Sequence, residues 1–167
     1  MYIIEGLRKK YDILCDLVRP HITLVFPFDS ALSKADMEAA ITDTLADFSP
    51  FSMELSGLAW SDRWMFVPVT DGSDMIVKMH EVLYDKHFSQ FKSSWLKAYT
   101  PHLTVGQFRS EEEAQRVYGI EKHLTESFVC KVKKISVEII GDNDESILEM
   151  EYGLRGADTC IKKGDLV

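Results

Sequence analysis

Residues 20–24 read PHITL and residues 101–105 read PHLTV, so one short pattern occurs twice in the chain. The pattern is proline, histidine, an aliphatic residue, threonine and a second aliphatic residue. In a β-strand, residues i and i+2 point to the same face, so each copy would present an imidazole and a hydroxyl together while its aliphatic residues face a core. The side chains singled out in this way are His21, Thr23, His102 and Thr104.

The same order of predicted elements surrounds both copies. Hydrophobic periodicity and turn signals indicate a helix before each motif strand, and a helix and two strands after it. The predicted elements of the first half are a helix over 3–13, a strand over 21–28, a helix over 34–47 and strands over 51–60 and 63–70. Those of the second half are a helix over 73–91, a strand over 102–108, a helix over 111–123 and strands over 128–140 and 146–154.

This repeated order predicts an α+β fold with two lobes related by a pseudo-twofold axis. Two antiparallel sheets would flank a central cleft, with the helices on the outside. We expect a single domain over 1–155, in which lobe one covers about 1–62, lobe two covers about 63–155, and strands can be exchanged between them. Residues 156–167 have no periodicity and are predicted to form a flexible tail.

The charge of the chain excludes one class of function. Among 167 residues there are 19 Lys and Arg against 27 Asp and Glu, a formal net charge of −8. Coating a long nucleic-acid duplex needs clustered basic residues, so we expect no such partner. Three cysteines without a C-x-x-C pair favour a reduced compartment, and no apolar run approaches the ~18 residues of a membrane span. We therefore expect a cytoplasmic protein without membrane contact, and leave its oligomeric state open.

Two imidazoles across a common point suit phosphodiester cleavage. An oxygen attacks phosphorus in line with the leaving oxygen, so one side needs a base and the other an acid. Histidine can take either role near neutral pH, and threonine hydroxyls can donate to the non-bridging oxygens. This chemistry requires neither a metal nor a cofactor, and near-symmetric motifs do not tell the base from the acid.

The paired His-x-Thr motifs, with His21 and His102 separated by 81 residues, and the duplicated order resemble the two-histidine (2H) phosphoesterase superfamily. Within it, the chain is similar to bacterial 2′-5′ RNA ligase-like proteins over about 1–155. The stretches that carry the resemblance are RKKYD, PHITLVFPF, FSMELSGL and TPHLTVGQF.

The resemblance implies a bilobal fold and metal-independent cleavage of 2′,3′-cyclic or 2′-5′ phosphodiester bonds in RNA ends, cyclic nucleotides or small phosphodiesters. It also implies that His21 and His102 are catalytic, and that Thr23 and Thr104 bind the substrate phosphate. Family members usually begin with a strand before the first helix, so here lobe one would lack an edge strand, or the last strand would cross over to serve it.

Further candidate substrate contacts flank the motifs. Gln107 stands where relatives often have a basic residue, so Arg19 or Arg109 could supply that charge. The candidates are Arg19, Phe28, Tyr99, Gln107 and Arg109. His80 and His87 lack the H-E-x-x-H spacing of a zinc site, and we interpret them as solvated or helix-terminal.

Two alternative functions stay open at this point. The first is a non-catalytic module that binds RNA ends or a phosphorylated metabolite on the same fold. The second is a hydrolase that uses the histidines as metal ligands.

Overall fold

Four α-helices and seven β-strands form the computed structural model, which describes residues 2–93 and 98–155. The helices are α1 (Tyr2–Tyr11), α2 (Lys34–Leu45), α3 (Ser73–Leu83) and α4 (Glu111–Glu121). The strands are β1 (Phe51–Ser56), β2 (Ala59–Ser61), β3 (Trp64–Asp71), β4 (His102–Gln107), β5 (Ser127–Val132), β6 (Lys134–Ile140) and β7 (Ser146–Gly153). The tail predicted over 156–167 lies outside the described residues. No helix within the described ranges combines the length and apolar character needed to cross a bilayer.

The helices begin where side chains can satisfy their free N–H groups. Ser33 accepts from the backbone of Asp36 at the start of α2, and the Asp36 carboxylate bonds back to the Ser33 backbone. Ser110 caps α4 by accepting from the backbone of Glu113. The helix predicted over 73–91 ends earlier: α3 is followed by a π-helical turn over Tyr84–Phe88 and then a short 3₁₀ turn.

The strands form two antiparallel sheets of unequal size. In the five-stranded sheet, β3 pairs with β1, β2 and β4, and β5 pairs with β1. The second sheet is a two-stranded ribbon of β6 and β7. The predicted α+β class with two antiparallel sheets is confirmed. The larger sheet combines strands from both predicted lobes, because β1 and β2 of lobe one pair with β3 and β5 of lobe two.

Three strand predictions are wrong in their extent. The strand predicted over 51–60 is divided into β1 and β2, and Gly57 between them has a φ of +74°. The strand predicted over 128–140 is divided at Lys133 into β5 and β6, which belong to different sheets. Residues 21–28, predicted as the first motif strand, contain no regular strand. Alternation of apolar and polar side chains indicates that one face of a segment is buried. A β-strand also needs a neighbouring strand to pair with, and the alternation does not specify that partner.

Two buried clusters divide the interior. Cluster one packs α1 and α4 against the larger sheet and includes Leu103 and Val105 of β4. Cluster two lies between α2, α3, the π-helical turn and the ribbon. Leu24 packs against both clusters, and Ile22 packs against cluster one. Both motifs therefore rest their aliphatic residues on the same core.

Candidate active site

The second motif lies at the start of β4, where the β3 backbone fixes its position. His102 is opposite Pro68, and Thr104 is opposite Phe66. Leu103 and Val105 are buried, while His102 and Thr104 are half-buried on the other face. The His102 ring lies 4.7 Å from the Phe66 ring, measured between centroids. A hydrogen-bonded ladder on one side and an apolar core beneath thus set the direction of both polar side chains.

The first motif is held by side chains instead of a ladder. The phenol of Tyr99 donates to the Thr23 carbonyl at 2.7 Å. The His80 Nδ1–H donates to the Leu24 carbonyl at 2.7 Å, and the Phe26 N–H donates to the Tyr84 phenol at 3.1 Å. Three ring side chains therefore bind three backbone groups within residues 23–26, in a segment that has no paired strand in the described part of the chain.

The two motif histidines have the same hydrogen bond. His21 Nδ1 lies 2.8 Å from the Arg19 carbonyl, and His102 Nδ1 lies 2.7 Å from the Thr100 carbonyl. A carbonyl oxygen only accepts, so Nδ1 carries the proton in the neutral ring. Nε2 is then a lone-pair base in the neutral ring and an N–H acid in the protonated ring. Each histidine is thus oriented, through the residue two positions earlier, for proton transfer at Nε2.

Arg19 forms an ion pair across the two halves of the chain. Its guanidinium lies 2.7 Å from the Glu138 carboxylate on β6, and 60% of the arginine side chain is exposed. Ser146 on β7 also donates to Glu138. Burial raises the pKa of Glu138, but the hydrogen bonds from Ser146 and Arg19, and the positive charges of Arg19 and protonated His21, hold that pKa below its usual range. Glu138 is therefore an anion beside the first motif.

The remaining candidate contacts have different surroundings. Phe28 stacks on Phe91 at 4.1 Å between ring centroids and packs into cluster two. Tyr99 uses its phenol on the Thr23 carbonyl. Gln107 ends β4 opposite Trp64, half-buried. Arg109 is exposed, and its backbone N–H donates to Glu113.

Sequence reasoning missed the residues that support the first motif. His80 is only 2% exposed, which corrects its interpretation as a solvated residue, and it lies in the last turn of α3. A signal for its burial was present, because His80 continues the apolar stripe of Ile76, Met79 and Leu83 on α3. Glu138 gave no comparable signal, since its partner Arg19 lies 119 residues away. Across the described residues, no group of three or more His, Cys, Asp or Glu side chains is arranged to hold a metal ion.

Comparisons with known proteins assign this α+β fold to a family. The family model of the 2′-5′ RNA ligase superfamily matches residues 2–144. A Bacillus cereus (strain AH820) protein named "Putative phosphoesterase" is 30% identical over 123 residues, which cover 69% of this chain and 67% of that protein. A Bacillus thuringiensis (strain Al Hakam) protein of the same name matches with the same identity and coverage. The chain belongs to the 2′-5′ RNA ligase superfamily, which confirms the predicted 2H relationship.

Solved structures show the same fold at low identity. The protein TT0787 of Thermus thermophilus aligns with a TM-score of 0.59 at 15% identity, covering 82% of this chain and 79% of that one. E. coli LigT complexed with 3′-AMP aligns with a TM-score of 0.57 at 12% identity, covering 92% of each chain. LigT complexed with NADP⁺ aligns with a TM-score of 0.58 at 13% identity, again covering 92% of each chain.

Proposed function

We propose that this protein is a phosphodiesterase that cleaves 2′,3′-cyclic or 2′-5′ phosphodiester bonds in RNA ends or small nucleotides. The matched Nδ1–carbonyl hydrogen bonds of His21 and His102 carry the proposal, because they leave two Nε2 atoms free for proton transfer. Membership in the 2′-5′ RNA ligase superfamily supports the choice of reaction. The relatives named as phosphoesterases and the nucleotides bound by LigT support a small phosphate ester as substrate.

The proposed reaction divides two proton transfers between the histidines. One neutral imidazole takes a proton from water through Nε2 while the water oxygen attacks phosphorus. The other, protonated, imidazole gives its Nε2 proton to the ribose oxygen as the P–O bond breaks. Thr23 and Thr104 donate to the non-bridging oxygens, where negative charge grows in the transition state. A second turnover requires the two imidazoles to return to their starting protonation states through solvent.

Replacing either motif histidine tests this proposal directly. His21→Ala and His102→Ala should each reduce kcat on a 2′,3′-cyclic nucleotide by about 10²–10⁴-fold, the usual contribution of a general acid or base. His87→Ala is the matched control, since this histidine bonds Asp43 on α2 and belongs to neither motif. Activity should persist in EDTA and follow a bell-shaped pH profile. Full activity in both motif variants would overturn the proposal.

The same assay separates the two alternative functions. A binding module would hold the cyclic nucleotide tightly and release no product over hours. A metal-dependent hydrolase would lose activity in EDTA and regain it with added zinc.

A further inference from the structure

The first-motif segment, residues 21–28, depends on three ring side chains that we call the ring cluster: His80, Tyr84 and Tyr99. The His80 and Tyr99 rings are stacked, with centroids 3.8 Å apart and planes 2° from parallel. The Tyr84 ring meets His80 edge-on at 4.9 Å. Their polar atoms contact the Thr23 carbonyl, the Leu24 carbonyl and the Phe26 N–H.

We propose that Tyr99 and His80 are positioning residues that align the first His-x-Thr motif with the second, and that neither touches the substrate. The inference rests on the proposed function, since it explains how two motifs in different backbone settings become one site. Tyr99 is the central member, because it lies three residues before His102 and bonds the backbone carbonyl of Thr23 in the other motif.

The chain path makes Tyr99 a direct link between the motifs. The carbonyl of Thr100, the next residue, accepts from His102 Nδ1, and the carbonyl of Pro101 accepts from Val69 on β3. Three consecutive residues thus have three different partners: Tyr99 bonds the first motif, Thr100 bonds the His102 imidazole, and Pro101 bonds the larger sheet. A displacement of Tyr99 would therefore change the separation of the two imidazoles.

The rings have the protonation states that this role needs. Burial raises the pKa of the Tyr99 phenol, so the phenol stays protonated and donates a hydrogen bond to the Thr23 carbonyl. Burial lowers the pKa of His80, outweighing the hydrogen bond to Leu24, so the ring stays neutral against Tyr99. Neutral stacked rings avoid an uncompensated charge among buried groups.

Removing one hydroxyl tests the proposal with little change in packing. Tyr99→Phe keeps the stacked ring and loses only the bond to Thr23. We expect kcat on a 2′,3′-cyclic nucleotide to fall about 10–100-fold with KM changed less than about threefold, because a shift of about 1 Å in a reacting group can cost about 10²-fold. Tyr152→Phe is the matched control, since its phenol contacts Met150 on the ribbon, and it should retain full kcat.

A second pair of variants separates positioning from packing. His80→Asn keeps an N–H near the position of Nδ1 and should retain most of the kcat, whereas His80→Leu fills the space without a donor and should lose it. Tyr99→Phe combined with Thr23→Ala should cost less than the sum of the two single losses, because both act on the same motif. Equal kcat for His80→Asn and His80→Leu, or a Tyr99→Phe enzyme with the parental kcat, would overturn the proposal.

A readout without turnover distinguishes failure of this inference from failure of the proposed function. Titration with 2′-AMP, followed by the NMR signals of the His21 and His102 imidazoles, reports whether both rings meet one phosphate. If the parental protein binds 2′-AMP but cleaves no cyclic nucleotide, the proposed function fails. The positioning role then stands if Tyr99→Phe uncouples the His21 response from the His102 response, and falls if both still shift together.

Discussion

Arg19 and Glu138 form a charged pair at the edge of the candidate site. Arg19 lies two residues before His21, whose Nδ1 bonds the Arg19 carbonyl. Its guanidinium is already occupied by the Glu138 carboxylate. Such a pair, exposed on one side, adds only about 0–1 kcal/mol to stability. Its larger effect is electrostatic, because an anion beside His21 repels a phosphate substrate.

Glu138→Gln should therefore strengthen substrate binding. Loss of the carboxylate removes the repulsion and leaves Arg19 free to meet the phosphate, so KM should fall about twofold, as expected for unit charges about 10 Å apart in water. Salt of about 0.5 M should abolish the difference, since it screens exposed charges over a few ångströms. Steady-state kinetics at low and high salt measures both effects. A higher KM would mean that Glu138 holds Arg19 in its binding geometry.

At the scale of elements, local signals predicted the helices and missed the pairing of strands. Ser33 and Ser110 directly precede the helices predicted over 34–47 and 111–123, and the structure confirms both helix starts, since each serine caps its helix within three residues. The motifs at residues 20–24 and 101–105 have nearly the same pattern, yet only the one at 101–105 forms part of a sheet. The difference comes from β3, which pairs with β4, and this neighbour is not encoded in either motif.

The two motifs should differ in backbone protection. Amide hydrogens of β4 that bond to β3 should exchange slowly, while those of 21–28 should exchange faster, because no ladder covers them in the described structure. The Phe26 amide is the expected exception, since it donates to Tyr84, and Tyr84→Phe should remove that protection. Hydrogen exchange followed by NMR provides the measurement. Equal protection throughout both motifs would contradict the irregular first segment.

At the scale of the molecule, the repeated motif was enough to select the candidate site from the sequence. The side chains that hold the first motif in place became visible only in the folded structure. The histidines and threonines follow from two matching pentapeptides. The ring cluster joins α3, the π-helical turn and the segment before β4, and it connects the two clusters, since Tyr84 belongs to cluster two and Tyr99 packs against cluster one. Sequence periodicity showed the buried face of α3 and could not show that His80 donates across it to Leu24.

The buried imidazole of His80 gives the whole molecule a pH dependence. Its pKa is lowered in the folded state, mainly by burial and also by the charge of Lys92, against the hydrogen bond to Leu24 and the charges of Glu81 and Asp85. The unfolded chain therefore binds a proton first as the pH falls below about 6.5, and folding stability declines from that point. Above it, the contribution of His80 is fully present.

Urea unfolding at a series of pH values tests this dependence. The parental protein should lose stability as the pH falls from about 6.5 to about 5.5, and His80→Asn should show a smaller slope over that range because the new side chain does not titrate. The carboxylate of Glu138 titrates at lower pH, so its contribution lies outside this window. Identical slopes for the two proteins would contradict a neutral buried His80.

The unequal backbone support of the two motifs also has a consequence for how the chain tolerates change. Around β4, neighbouring main chain holds the second motif, and many side chains can be exchanged without moving it. Around residues 21–28, three individual side chains provide that support, and replacing any one of them should displace the first motif. A saturation library selected for activity should therefore be depleted at positions 80, 84 and 99 as strongly as at a typical core position, while position 68 on β3, opposite His102, accepts wide variation.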